Sequence, residues 1–431
     1  MRILQITAGA AAMYCGSCLK DNALATELMA LGHDVVLLPF YTPTLTDEQN
    51  VSSGKVFFGG ISVYLQQTIP LFRKLPRLFD KLFDSDFALK AASRKSLAVD
   101  PKFLGEMTVG VLEGAAGPLA KEFSKLTEWL STEPHYDVIS IPYTLLISLA
   151  PAMRKVVAPQ SKIVCVLQGE DLFLDGLIEP YRSRAIALLR QYLPDVDLFI
   201  SVSEYYAGFM ANYLGIEPHR IATVPIGIHA QDFAAAQQPR TVPPYKIGFF
   251  ARIAPEKGLH NLCEAYRLLR TMPGVPPTSL EVAGYLLTEH QGYLAGIQSK
   301  MQTWGLADHF HYRGALDRND KAEFLRGLDV FSVPTDYHEP KGLFLLEAMA
   351  SGVPVVQPRH GAFPELLAKT GGGLLVEPGN PQALANGILE FLKDRETASA
   401  VAQAGAAGVR QHFTARRMAQ QTVAAFESLA E

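Results

Sequence analysis

The sequence predicts an α/β protein of two Rossmann-like, doubly wound domains facing a central cleft, and three observations carry that expectation. The chain has 431 residues, more than a single hydrophobic core usually organises. Short runs rich in Val, Ile and Leu, apolar on both faces, alternate with helical patterns along most of its length, as the strands of helix-covered parallel sheets do. A Pro-rich stretch, TVPPYK at 241–246, follows the Ala- and Gln-rich AAAQQPR and reads as the linker between two such units. Ligands of doubly wound sheets sit outside the carboxyl ends of the strands, so two of them predict a site in the cleft between.

In chain order, the first-half strands are expected at 2–7, 34–39, 137–142, 162–167 and 198–203, and the second-half strands at 246–251, 279–284, 310–314, 330–334, 354–358 and 373–377. The N-terminal MRILQITAGAAAMYCG holds one basic residue and reaches turn residues after a single apolar run, which fits a first strand and not a signal peptide. One segment breaks the alternation. In LFRKLPRLFDKLFDSDFALK (71–90), Leu71, Phe72, Leu75, Leu78, Phe79, Leu82 and Phe83 recur at helical spacing among Arg73, Lys74, Arg77 and Lys81. That pattern suits an inserted amphipathic helix that packs on the first domain or touches a membrane surface.

Composition excludes several classes. The chain carries 39 Lys+Arg against 43 Asp+Glu, a net charge of −4, without the basic surplus of a nucleic-acid binder. No apolar run reaches the roughly eighteen residues of a membrane-spanning helix, so a cytoplasmic location, peripheral at the inner membrane surface if 71–90 touches it, is expected. Its four cysteines are too few for a disulfide framework. Cys15 and Cys18 form C-x-x-C where a helix should start, but no second pair completes a zinc set. Asp195-Val196-Asp197 sits at a strand entry and reads as capping, so no metal and no cofactor is assigned.

The stretch PTDYHEPKGLFLLEAMASGVPVVQPRHGAFPE (334–365) carries the chemistry. A strand ends at Pro334, a loop holds Glu339, and a helix begins near Gly342 with Glu347 about one turn inside and a stop at Ser351-Gly352. Backbone amides at Gly342, Leu343 and Phe344 would face a ligand at the positive end of that helix, flanked by carboxylates. Phosphate oxygens on the amides and sugar hydroxyls on the carboxylates are what such a place can bind.

This stretch resembles the E-x7-E region of the retaining GT-B glycosyltransferases of family four, the glycosyltransferase group 1 enzymes. KIGFFARIAPEKG (246–258) is similar to the family's G-R-x-x-x-x-K-G loop, with Arg252 and Lys257 at the matching positions, and ATVPIGIHAQDF (222–233) to its interdomain element. The resemblance implies a first domain, 1–238 with the C-terminal helix 412–431, that binds the acceptor, and a second, 239–411, that binds the nucleotide sugar. It implies transfer of a sugar from a nucleoside diphosphate donor to an acceptor hydroxyl, without a metal, with Arg252 and Lys257 meeting the charge of the leaving diphosphate. Glu339 would contact the donor sugar, Glu347 the ribose, and Gly342 and Leu343 would offer amides. Lys341, which stands where the family commonly has an aromatic, is expected to meet a phosphate or an acidic group. In the first domain Gly16 would face the diphosphate, and Gln168, where the family often has His, would lie near the sugar with Asp171. Two other readings share this architecture: a sugar-nucleotide epimerase or phosphorylase, and a non-catalytic sugar-nucleotide binding protein.

Overall fold

The computed structural model describes residues 1–9, 16–44, 46–53, 100–234 and 242–429. The 71–90 face and Cys15 lie outside the described residues. The chain forms two compact units, Met1–Pro225 with Met418–Glu431, and Ile226–Arg417. The division falls before the Pro-rich 241–246 stretch because Ile228 already belongs to the second unit. Its N–H donates to Phe413 O at 2.9 Å, and its carbonyl accepts from Ala415 N at 2.8 Å.

Unit 1 runs β1 (Arg2–Thr7), α1 (Gly16–Ala30), β2 (Asp34–Pro39), α2 (Pro101–Leu112), α3 (Ala120–Thr132), β3 (Val138–Ile141), α4 (Leu149–Arg154), β4 (Lys162–Leu167), α5 (Asp171–Asp175), α6 (Tyr181–Tyr192), β5 (Leu198–Ser201), α7 (Glu204–Met210) and β6 (Ile221–Thr223). The strands pair in parallel in the order β2-β1-β3-β4-β5-β6. All residues of β3 and β5 are buried, and five of six in β1 and β4, which is why these segments read as unbroken apolar runs. Each Ile, Val or Leu so buried contributes about 1.5–3 kcal/mol. Ile139, Ile163 and Phe199 meet Leu126, Met153 and Leu189 of the helices in one core.

Unit 2 runs β7 (Tyr245–Phe250), α8 (Leu259–Thr271), β8 (Thr278–Ala283), α9 (Gln291–Thr303), β9 (Phe310–Tyr312), α10 (Arg318–Arg326), β10 (Val330–Phe331), α11 (Leu343–Ala350), β11 (Val355–Pro358), α12 (Phe363–Thr370), β12 (Gly373–Val376), α13 (Pro381–Lys393) and α14 (Arg395–His412), followed by α15 (Ala415–Glu427), whose residues from Met418 on count with unit 1. The helix starts carry their own signals: Asn380 accepts from Ala383 N with Pro381 at the first position, and Asp394 accepts from Thr397 N. The sheet order is β12-β11-β10-β7-β8-β9, all parallel. The first strand of the unit is thus central, and the direction of winding reverses between β7 and β10. The carboxyl ends of those two strands bound the crevice where such sheets hold ligands.

Every expected run contains a strand, with ends differing by at most three residues, so the doubly wound reading holds. The short edge strand β6 was not expected; its three residues are half-buried and carry no continuous apolar signal. Among the described residues, no helix is long and apolar enough to cross a membrane.

Candidate active site

The two loops that leave β7 and β10 touch directly, and one glycine permits it. Gly258 sits at φ +73°, and a Cβ there would lie 1.8 Å from the carbonyl oxygen of Pro334. No L side chain fits such an approach or favours such a φ. Asp336 N donates to Glu256 O at 3.0 Å across the same seam. A second close approach fixes the other side of the loop: Gly361, at φ +57°, would put a Cβ 2.5 Å from Glu339 O, and Ala362 N donates to that oxygen at 2.8 Å. Glu339 is therefore held by its backbone, and Lys257 is delivered to it from the neighbouring strand.

The side chains close a compact polar cluster. Lys257 Nζ donates to Glu339 Oε2 at 2.7 Å and to the Tyr337 hydroxyl at 2.8 Å, and Tyr337 also donates to Glu339. The ammonium lies 4.8 Å from the Tyr337 ring centre and 5.5 Å from that of Phe344, where ring faces attract cations. Glu339 is 4% exposed. Burial pushes its carboxyl up, but the charge and hydrogen bond of Lys257, the hydrogen bond from Tyr337 and the charge of Lys341 outweigh burial and hold it at about 2. Burial and Glu339 push the Tyr337 hydroxyl well up, so it stays a donor. The cluster is a fixed carboxylate with a fixed cation beside it.

Around this pair the remaining candidates of unit 2 are arranged by the same loops. Arg252 follows β7 and pairs with Glu256 on its own loop, with its side chain 45% exposed. Of the amides expected to be open at the start of α11, Gly342 N faces inward and approaches Glu339 Oε1 at 3.5 Å, beside Lys341 N at 3.2 Å. Gly342 is the N-cap and Leu343 the first residue of α11. Glu347 lies one turn on, 5% exposed, and accepts from Lys321 Nζ at 2.8 Å. Its burial follows from α11, whose residues Phe344–Ala350 are all buried.

Unit 1 has a polar cluster of its own at the carboxyl ends of β3 and β4. Gln168 Nε2 donates to Pro142 O at 2.5 Å, while its Oε1 is buried with no hydrogen-bond partner. Glu170, 5% exposed, accepts from Thr144 N, Thr144 Oγ1, Gln168 N and the Tyr206 hydroxyl at 2.8–3.3 Å. Tyr206 donates to Asp171 Oδ1 at 2.7 Å. Burial raises the Asp171 carboxyl above the usual range, against the opposing hydrogen bond from Tyr206. Gly16 opens α1 and is exposed.

Sequence reasoning passed over Tyr337, Lys321, Glu170 and Tyr206. Tyr337 carried a signal, two residues before Glu339 in a site loop. Lys321 and Glu170 carried none, since a charged residue in a polar stretch ordinarily faces water. Asp197 is more than a cap: it accepts from Ile163 N at 2.6 Å and pairs with Arg154, tying β5 to β4. Cys18 of the C-x-x-C pattern is buried.

The profile of the family Glycosyl transferases group 1 matches residues 231–407, and that of Glycosyltransferase Family 4 matches residues 108–232. The lipopolysaccharide core biosynthesis mannosyltransferase LpsB of Rhizobium meliloti is 30% identical over 187 residues, which are 42% of this chain and 51% of that protein. The match thus spans about half the length of this relative. The sucrose-phosphate synthase of Thermosynechococcus elongatus superposes with a TM-score of 0.71 at 19% identity, covering 99% of this chain and 98% of that one. Anabaena HepE, in complex with UDP and glucose, superposes with a TM-score of 0.68 at 18% identity, covering 99% and 100%. The fold is that of these GT-B proteins.

Proposed function

The chain belongs to the glycosyltransferase group 1 family, and we propose that it is a retaining glycosyltransferase that moves a sugar from a nucleoside diphosphate donor to an acceptor hydroxyl without a metal. The observation that carries this reading is the Lys257–Glu339 pair at the β7–β10 reversal. When the bond from the anomeric carbon to the diphosphate breaks, its electrons stay on the phosphate oxygen. Lys257 and Arg252 supply two cations for that charge, a point charge and a planar fork, on one preorganised loop. Glu339 accepts from donor sugar hydroxyls, Glu347 from the ribose, and the Leu343 amide faces the donor, while Gly342 N turns to Glu339. The leaving phosphate takes the acceptor proton.

Support for the donor class comes from the relatives: LpsB is named a mannosyltransferase, and HepE was solved with UDP and glucose. The acceptor belongs to unit 1 in this reading. A peripheral membrane contact through 71–90 extends the proposal on the sequence pattern alone.

Donor binding tests it. A thermal-shift screen of UDP-, GDP- and ADP-sugars is expected to find one class that stabilises the protein, by about 2.7 kcal/mol at a hundredfold excess over Kd. Glu347→Ala is expected to abolish that shift. If none of the three classes stabilises the protein, the reading fails. Incubation with the donor alone then separates the chemistries: a transferase gives slow hydrolysis, an epimerase a new sugar nucleotide, a binding protein nothing.

Lys341 has a narrower test. Its charge acts on the Glu339 carboxyl, beside the place proposed for the diphosphate. Lys341→Ala is expected to raise the donor KM roughly three- to tenfold, the size of one partly solvated charge contact, with a smaller change in kcat. Unchanged donor and acceptor kinetics would remove Lys341 from the site.

A further inference from the structure

We propose that Lys321 is the positioning residue for ribose recognition: it fixes and orients Glu347 so that this carboxylate can accept hydrogen bonds from a ribose diol. The inference rests on the reading of Glu347 as the ribose contact.

Lys321 stands in the first turn of α10 and is 4% exposed, against 5% for Glu347. The two meet at 2.8 Å between Nζ and Oε1. A lysine is seldom buried this deeply without a fixed partner. The ammonium also lies 5.3 Å from the ring centre of Phe233 and 5.9 Å from that of Phe250, which limits where it can move. It is thus held by a carboxylate and two aromatic faces from three parts of unit 2. The same helix is fastened through Arg318, which pairs with Asp232 at 2.5 Å. Lys321 is therefore set by its surroundings, and in turn sets Glu347.

A diol donates two hydrogen bonds, and only an ionised carboxylate offers both oxygens as acceptors. Buried without a cation beside it, Glu347 would turn away from this position, because an unpaired charge in such a place is costly. Lys321 occupies one position on Oε1 and leaves Oε2 and the second lone pair of Oε1 directed by the pair. Lysine suits the task, since its point charge fixes the carboxylate without covering both oxygens as the fork of an arginine would.

The experiment compares the binding of UDP, GDP and ADP with that of their 2′-deoxy counterparts by calorimetry on the full chain. The wild-type protein is expected to bind the ribonucleotide of its preferred base about tenfold or more tightly than the deoxy form, the size of one hydrogen bond to a charged group. Lys321→Met, which keeps the length of the side chain, is expected to reduce that preference to about twofold or less while the deoxy form binds nearly as before. A merely structural role would weaken both nucleotides alike, which would overturn the proposal. Lys321→Arg, which keeps the charge but grips both oxygens, is expected to fold and to show a preference between those of wild type and Lys321→Met. A full wild-type preference in Lys321→Arg, with Lys321→Met unfolded, would also overturn it. Glu347→Gln separates the two levels of the argument. If this variant keeps the wild-type preference, Glu347 is not the ribose contact. If it loses the preference and Lys321→Met keeps it, only the inference about Lys321 falls.

Discussion

Lys257→Met is expected to lower kcat by at least about a hundredfold, the usual cost of removing one preorganised group that meets charge developing in a transition state. Two consequences follow from the same contact. The leaving diphosphate loses a fixed cation, and Glu339 loses the partner that keeps it ionised. Removing one member of a buried pair typically costs about 3–5 kcal/mol. The Lys257 side chain retains 15% exposure, so the lower end is expected here. The pH dependence gives a distinguishing sign. In the wild-type protein Glu339 is held at about 2, below its unfolded value near 4.3. Its contribution to stability is therefore complete above that unfolded value and is lost as pH falls through about 2. In the variant the burial effect is unopposed by Lys257, so acid neutralises a charge that had become unfavourable. The stability gap between wild type and Lys257→Met is expected to be widest at neutral pH and to narrow as pH falls toward 3. Denaturant midpoints measured from pH 7 to pH 3 check this. A gap that does not change with pH, or a kcat within about tenfold of wild type, would contradict the assignment.

Glu170→Ala is expected to be the most destabilising single change in unit 1, by about 3–5 kcal/mol, because it orphans several buried donors at once. Thr144 N and Gln168 N have Glu170 as their acceptor, and backbone N–H groups without a partner in the interior are rare and costly. The Tyr206 hydroxyl keeps Asp171, so the loss is not total. At about 2–4 °C per kcal/mol for a unit of this size, the melting temperature should drop by roughly 10 °C. Glu170→Gln keeps one carbonyl acceptor and is expected to lose about half as much. A loss below about 1 kcal/mol in Glu170→Ala would mean that the three strand ends are held by other contacts. Glu170 touches no expected ligand atom, yet it fixes the backbone from which Gln168 and Asp171 project.

The legible and the illegible parts of the site differ in a consistent way. Arg252, Lys257, Glu339 and Glu347 could be singled out because their spacing lies along single strand–loop–helix units, and local geometry follows from local sequence. The start of α11 after Gly342 and its stop before Gly352 were legible for the same reason, as a left-handed glycine ends the helix at φ +74°. Glu170 and Lys321 were not legible. Each looks like a solvated charge within its own segment, and each meets a partner 26 positions away. The polar partners of Glu339 show both cases together: Tyr337 is two residues away, whereas Lys257 comes from another strand.

Sequence alone determined the class of fold and the position of nearly every strand. It could do so because burial on both faces of a parallel strand leaves an unbroken apolar run, and helix ends are written in caps and glycines. Only the tertiary structure decided which charges meet. The order β12-β11-β10-β7-β8-β9 places the loops of β7 and β10 side by side, and Gly258 lets their backbones close to contact. Pairing across strands depends on that order and that approach, and neither is recorded in the neighbours of a residue along the chain.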